Sequence, residues 1–179
     1  AQPLLEGLLE RESSKESEVR YRLAFVYYNR GRTDEALNLI DETFSEGLAG
    51  GQSSKLLRLR SRALRDLGRY RQSLQAIREY VALEPDDPVA QFEYVTLLFR
   101  LGEYQRLLEE LDSSAETLSG TETEYLRGLA QVGLGRYEEA VETLTGLEGS
   151  PSLEPYREYY LAWAQYRLGR NRPALESFD

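Results

Sequence analysis

The chain has 179 residues, 41% hydrophobic and 30% charged, with a net charge of −9. This composition fits a folded rather than a disordered chain. No run approaches the ~18 consecutive apolar residues of a membrane span, and the acidic balance argues against general nucleic-acid binding, which needs a basic surface to displace counterions. Cysteine and histidine are absent, which excludes disulfides, thiolate nucleophiles and imidazole bases, and with them most zinc or copper sites. The lack of cysteine leaves cytoplasmic and periplasmic locations both open. The charge is unevenly spread: residues 55–78 hold Lys55 and seven arginines (58, 60, 62, 65, 69, 71, 78) against Asp66 alone, a net +7 that leaves −16 for the rest.

The chain begins Ala1-Gln2-Pro3 without a methionine, as a mature chain after leader removal or an excised segment would. In residues 1–16, Ala1, Leu5 and Leu8 stand at helical spacing and predict a capping helix or half of an earlier repeat, covering the core face of the first full repeat. Residues 18–30 place Val19, Leu23, Val26 and Tyr27 at intervals of three and four, a helix. Gly31 then opens the string Gly31-Arg-Thr-Asp-Glu-Ala36, and related strings start at Gly68, Gly102, Gly135 and Gly169, at intervals of 37, 34, 33 and 34 residues. A fixed period in the thirties predicts a solenoid. Each glycine suits the left-handed residue that ends a first helix. A second helix comes next, with a small residue at Ala36, Ser73, Ala140 and Ala174 (Leu107 is the exception) and a large apolar one four places on: Ile40, Ile77, Leu111, Leu144, Phe178. Asp34-Glu35 and Glu138-Glu139 open second helices, where acids suit the positive end of the dipole, and Pro173 sits in a first turn, where proline is tolerated. Short polar linkers lie at 46–54, 84–88, 113–121 and 149–155; the second caps the helix after it. The chain stops about ten residues into the closing helix of the fifth unit, as a segment of a longer protein would.

These features resemble the tetratricopeptide repeat (TPR) family. Leu23-Ala24, Arg127-Gly128 and Leu161-Ala162 fall on its apolar-small pair, Tyr70, Tyr104 and Tyr137 on its aromatic position, and Pro85 on its closing proline. The resemblance covers residues 17–179. It departs at Arg60-Ser61, at Tyr94-Val95 and at Arg127, where leucine is usual. The fold it implies is all-α: an α-α superhelix of about five helix-turn-helix repeats (17–50, 54–87, 88–120, 121–154, 155–179) after the N-terminal helix.

The resemblance also implies a concave groove lined by residues thirteen, ten, nine, six, three and two places before each marker glycine. Those carrying the richest chemistry are Tyr21, Arg22, Phe25 and Tyr28; Arg58, Arg62 and Arg65; Phe92, Phe99 and Arg100; Tyr125; and Tyr159, Tyr160, Trp163 and Tyr166. Lys55, Leu59, Leu126 and Leu129 occupy further groove positions. Aromatic and arginine side chains carry binding energy at interfaces. Arg58, Arg62 and Arg65 share one helix face and suit carboxylates. The expected function is a protein-interaction scaffold that binds a peptide or partner protein, an acidic and aromatic segment in particular. The alternatives are neutralisation of the arginines within the chain, and self-association through the C-terminal repeat, whose aromatic cluster would otherwise be covered by further sequence. The lysine-asparagine clamp for chaperone tails is missing, with Tyr21 and Phe25 in its place. Glu109-Glu110 and Glu138-Glu139 point in different directions on their helices and read as solvated faces. Neither catalysis, nor a cofactor, nor a metal site is expected.

Overall fold

The computed structural model describes residues 2–147 and 154–172, with side chains from residue 15 onward. Ala1, Pro173, Ala174, Phe178 and the side chains of Leu5 and Leu8 lie outside the described residues, as does 149–153 of the fourth linker. Among the described residues the chain is all-α: nine α-helices, one 3₁₀ turn and no strand. It divides into two compact units, Ala1–Ala90 and Gln91–Asp179. Unit 1 holds α1 (Gln2–Asn29), α2 (Thr33–Ser45), the 3₁₀ turn Gly50–Gln52, α3 (Ser53–Asp66) and α4 (Tyr70–Leu83). The helix α5 (Pro88–Arg100) carries the boundary. Unit 2 continues with α6 (Tyr104–Ser113), α7 (Thr121–Gly133), α8 (Tyr137–Thr145) and α9 (Glu154–Arg167). Residues 2–16 are helical, as expected, but run unbroken into the first repeat helix, because neither glycine nor proline interrupts residues 8–30.

The marker glycines make five copies of one turn. Gly31, Gly68, Gly102, Gly135 and Gly169 have φ between +72° and +75°, a region that side chains with a Cβ rarely enter. After each glycine, the next amide donates to the carbonyl five residues back: Arg32 to Tyr27, Arg69 to Leu64, Glu103 to Leu98, Arg136 to Gln131 and Arg170 to Gln165, all at 2.8–2.9 Å. This closure satisfies carbonyls that the helix end would orphan. The second helices α2, α4, α6 and α8 then start without a side-chain cap bond. Acids in the first turns of α2 and α8 meet the positive helix end instead.

The paired helices meet at the small positions. Ala24, Ala36, Ser73 and Ala140 are fully buried, as are Ile40, Ile77, Leu107, Leu111 and Leu144. The crossing of α3 and α4 is polar: Ser73 Oγ donates to the Ser61 carbonyl (2.8 Å), Ser61 Oγ lies 3.2 Å from the Ser73 carbonyl, and the two hydroxyls are 3.0 Å apart. The matching crossing of α7 and α8 is bare: a Cβ on Gly128 would lie 2.5 Å from Leu144 Cδ2 and 2.7 Å from its Cγ. Leu144 is fully buried, so it has little room to yield.

Two of the departures from the repeat pattern perform the same task. Arg60 and Arg127 each stand eight places before a marker glycine. Arg60 pairs with Asp41 on α2 at 2.9 Å, and Arg127 with Asp112 on α6 at 2.6 Å. Both acids stand ten places after the preceding marker glycine. Arg69 reaches Asp34 (3.4 Å) and Arg136 reaches Gln105 (2.8 Å) across equivalent spans. Such partly exposed pairs contribute only ~0–1 kcal/mol each; their geometry ties one repeat to the next. The 46–52 linker is tied down as well, since buried Ser17 donates to the Ala49 carbonyl at 2.9 Å.

Candidate functional site

In unit 1, helices α1, α3 and α4 enclose an open cavity of about 510 Å³. From α1 come Tyr21, Phe25 and Tyr28; from α3 come Ser54, Lys55, Arg58, Leu59 and Arg62; from α4 comes Tyr80, and Glu84 follows its last turn. Spacings of three and four residues bring the first two sets to one side of their helices. The rings of Tyr21 and Phe25 are 6.1 Å apart and tilted by 34°. The Lys55 ammonium stands 5.6 Å from the Tyr21 ring centre, within cation–π range. Tyr28 donates its hydroxyl to Asp66 at 2.6 Å; burial first, and then this bond and the charge of Asp66, push its phenol above the usual value.

The arginine stripe is not uniform. Arg58 donates to Asp87 Oδ2 at 2.6 Å, and the Tyr80 hydroxyl donates to the same oxygen at 2.8 Å. Asp87 Oδ1 accepts the Val89 and Ala90 amides (3.0 and 3.1 Å), capping α5. Burial alone would raise the Asp87 carboxyl. The bonds from Tyr80 and the two amides, with the Arg58 charge, outweigh it and hold the carboxyl below its ordinary value. Arg58 therefore serves as a structural strut at the cavity wall, in the manner of neutralisation within the chain. Arg65 lies 3.8 Å from Asp66. Arg62 lines the cavity.

Other expected groove residues fall elsewhere. Arg22 pairs with Glu18 at 2.6 Å and lines a shallower hollow with Lys15 and Val19, apart from Tyr21 and Phe25. Leu59, Leu126 and Leu129, placed at groove positions by the repeat pattern, are buried: their apolar side chains pack into the core, and only Leu59 also reaches the cavity. In unit 2, Phe92 is half-buried, Arg100 is exposed, and Phe99 packs on Tyr104 with centres 5.8 Å apart. Tyr159 and Tyr160 meet edge-on at 5.2 Å, and Trp163 and Tyr166 lie 6.2 Å apart. The Tyr125 phenol is pushed up to about 12, by burial first and then by Tyr160 and Tyr156. Sequence reasoning missed Tyr80, whose only signal is a tyrosine on the buried face of α4.

Models of the tetratricopeptide repeat match residues 58–117 and, separately, 17–42 and 122–144. Together these segments span more than half of the chain and include four of the five marker glycines, Gly31, Gly68, Gly102 and Gly135. The chain belongs to the tetratricopeptide repeat family. No curated protein sequence matches it. The TPR fold is shared with solved MamA structures. One described as MamA 41-end from Desulfovibrio magneticus RS-1 is 21% identical, with 90% of each chain covered and a TM-score of 0.73. Another MamA crystal structure is 14% identical, covering 92% of this chain and 89% of that one with a TM-score of 0.77. A third, MamA AMB-1, is 17% identical over 92% and 89%, with a TM-score of 0.72. At these identities the likeness is one of fold. The TPR architecture supports a protein-interaction scaffold. Among the described residues, no helix is long and apolar enough to cross a membrane.

Proposed function

We propose that the chain is a non-catalytic scaffold whose unit 1 cavity takes an acidic, partly aromatic segment of a partner protein. One observation carries this reading: a single open hollow brings Lys55 and Arg62 beside Tyr21, Phe25 and Tyr28. In it, the cations meet carboxylates while the rings accept apolar side chains, which bury area at low entropic cost. Arg58 contributes indirectly, by holding Asp87 and the start of α5. The lack of histidine and cysteine throughout the chain supports the absence of chemistry.

The experiment is a titration of the chain with a fluorescein-labelled peptide alternating Asp or Glu with Phe or Leu. The variant is Lys55→Glu with Arg62→Glu, which leaves the Arg58–Asp87 pair intact. Affinity should fall at least tenfold while helical circular dichroism is kept, and wild-type affinity should weaken as salt rises. Affinity within twofold of wild type, with helicity retained, rejects the reading.

A further inference from the structure

The places twelve, eight and five before a marker glycine form a stacking face. On α3, Leu56 and Ala63 are fully buried there, and Arg60 between them pairs with Asp41 of α2. On α7, Arg127 holds the middle place and meets Asp112 of α6. On α9, Leu161 and Ala164 are buried, and Arg157 donates to the Leu144 carbonyl of α8 at 3.2 Å. In all three helices the cover is the second helix of the preceding repeat. On α1 the same places hold Val19, Leu23 and Val26, which are 62%, 41% and 42% exposed. Intervals of four and three set them on one side of the helix, about 200° around from Tyr21, Phe25 and Tyr28. Residues 2–16 extend α1 along its own axis and so lead away from this face. We propose that the α1 face is a docking site for one amphipathic helix of a partner protein, built like the second helices of this chain. That helix carries an acid or amide near its start, a small and a large apolar residue four places apart, and an uncharged residue directly after the large one.

The occupant's chemistry follows from the three interfaces that the chain closes by itself. The first cue is the residue ten places after the covering helix's glycine. Asp41 and Asp112 stand there in α2 and α6 and meet the middle-place arginines at 2.9 and 2.6 Å. Where the middle place is the apolar Leu161, the covering helix α8 carries the uncharged Thr145 instead. On α1 the middle place is Leu23. An acid set against it would lose water without gaining a counter-charge at that place, so the matching residue is uncharged. The second cue is the arginine after the marker glycine. Arg69 and Arg136 reach back to the residue three places after the preceding glycine, Asp34 (3.4 Å) and Gln105 (2.8 Å). Their counterpart Arg32 bonds Glu35 of its own repeat and stacks over Tyr27 at 4.5 Å. It places a cation at the edge of the face, for an acid or amide near the occupant's start. Residues 135–147 carry the whole combination, in Glu138, Ala140, Leu144 and Thr145. The string after Gly169 does not. Arg172 and Asp179 stand where Glu138 and Thr145 do, which would set a cation against Arg32 and an acid against Leu23. A second copy docking by that string is mismatched in charge, and a different protein is the better occupant.

The test is a titration of the full chain into two fluorescein-labelled peptides of residues 135–147, followed by anisotropy. One has the native sequence, and the other has aspartate at the Thr145 place. The native peptide should bind saturably, at least fivefold tighter than the aspartate peptide. Leu23→Arg, at an exposed position, supplies the arginine that α3 and α7 carry and should reverse that preference. Should this variant lose helicity, Val19→Asp, at the most exposed of the three places, takes over and should weaken the native peptide at least tenfold. Lys55→Glu with Arg62→Glu, in the unit 1 cavity, should leave both affinities unchanged, so this proposal and the unit 1 reading fail separately. No saturable binding up to millimolar chain overturns the proposal. So does a preference that Leu23→Arg leaves within twofold of wild type, or a native affinity that Val19→Asp leaves within twofold. Sedimentation as a dimer that Leu23→Arg dissolves overturns it as well, because a second copy then occupies the face.

Discussion

Unit 1 and unit 2 use the same repeat positions to present different chemistry. In unit 1, the places ten, six and three before the marker glycines carry Tyr21, Phe25 and Tyr28 on α1 and Arg58, Arg62 and Arg65 on α3. The result is a cavity with cations beside rings. In unit 2, the same places on α9 carry Tyr159, Trp163 and Tyr166, an aromatic stripe without an acid or base among them. The helix crossings differ in parallel. Unit 1 joins α3 to α4 through hydrogen-bonded Ser61 and Ser73, and unit 2 joins α7 to α8 by leaving out a side chain at Gly128. The repeat fixes where a side chain stands, and its chemical type sets what that place can hold.

The sharpest way to break this comparison is to fill the bare crossing. Gly128→Val should cost unit 2 about 1–3 kcal/mol through overpacking against Leu144. Urea unfolding would measure it, with hydrogen exchange rising in α7 and α8; an unchanged midpoint would mean that the crossing can open. Next in size is the strut of unit 1. Asp87→Ala should cost roughly 0.5–2 kcal/mol by removing the α5 cap. The folded Asp87 carboxyl lies below its unfolded value near 3.9. Its stabilisation is therefore present above that value and lost as pH falls through the lower folded one. Urea melts between pH 2 and 5 should show a shallower acid slope in the variant, and identical slopes would remove the strut.

Ser73→Ala should cost roughly 0.5–1.5 kcal/mol, because it removes the Ser73 hydroxyl's bond to the Ser61 carbonyl and leaves the buried Ser61 hydroxyl with the Ser73 carbonyl alone. Ser61→Ala with Ser73→Ala should cost less than the two single changes together. Strict additivity in that double-mutant cycle would show that the serines do not act as a pair. The smallest effect is spectroscopic. Tyrosine absorbance should include a late phase near pH 12 that Tyr125→Phe removes. The folded value lies above the unfolded one near 10, so stability falls as pH rises between them. Disappearance of that phase from a different tyrosine variant would move the buried phenol elsewhere.

Much of the fold is legible in the chain. The five glycine strings, their period and the small-large spacing after them predict the turns and the buried partners Ala36–Ile40 and Ala140–Leu144, all of which appear. The site is only partly legible. Arg58 shares a face with Arg62, and spacing treats them alike, yet Arg58 meets an acid 29 residues away. Arg60 and Arg127 look like lapses in the apolar pattern and are bridges to Asp41 and Asp112. Arg22 follows the groove rule by count and lies in a different hollow from Tyr21 and Phe25.

What the sequence determined unaided is the local and periodic part. A left-handed glycine, the amide bond that closes over it and the small residue five places later all act within about ten consecutive residues, where covalent geometry alone brings groups together. What only the tertiary structure decided is which charge meets which. An ion pair forms or fails over an ångström or two, and partners about 15 to 35 residues apart reach that range only after packed helices have set their relative height and rotation.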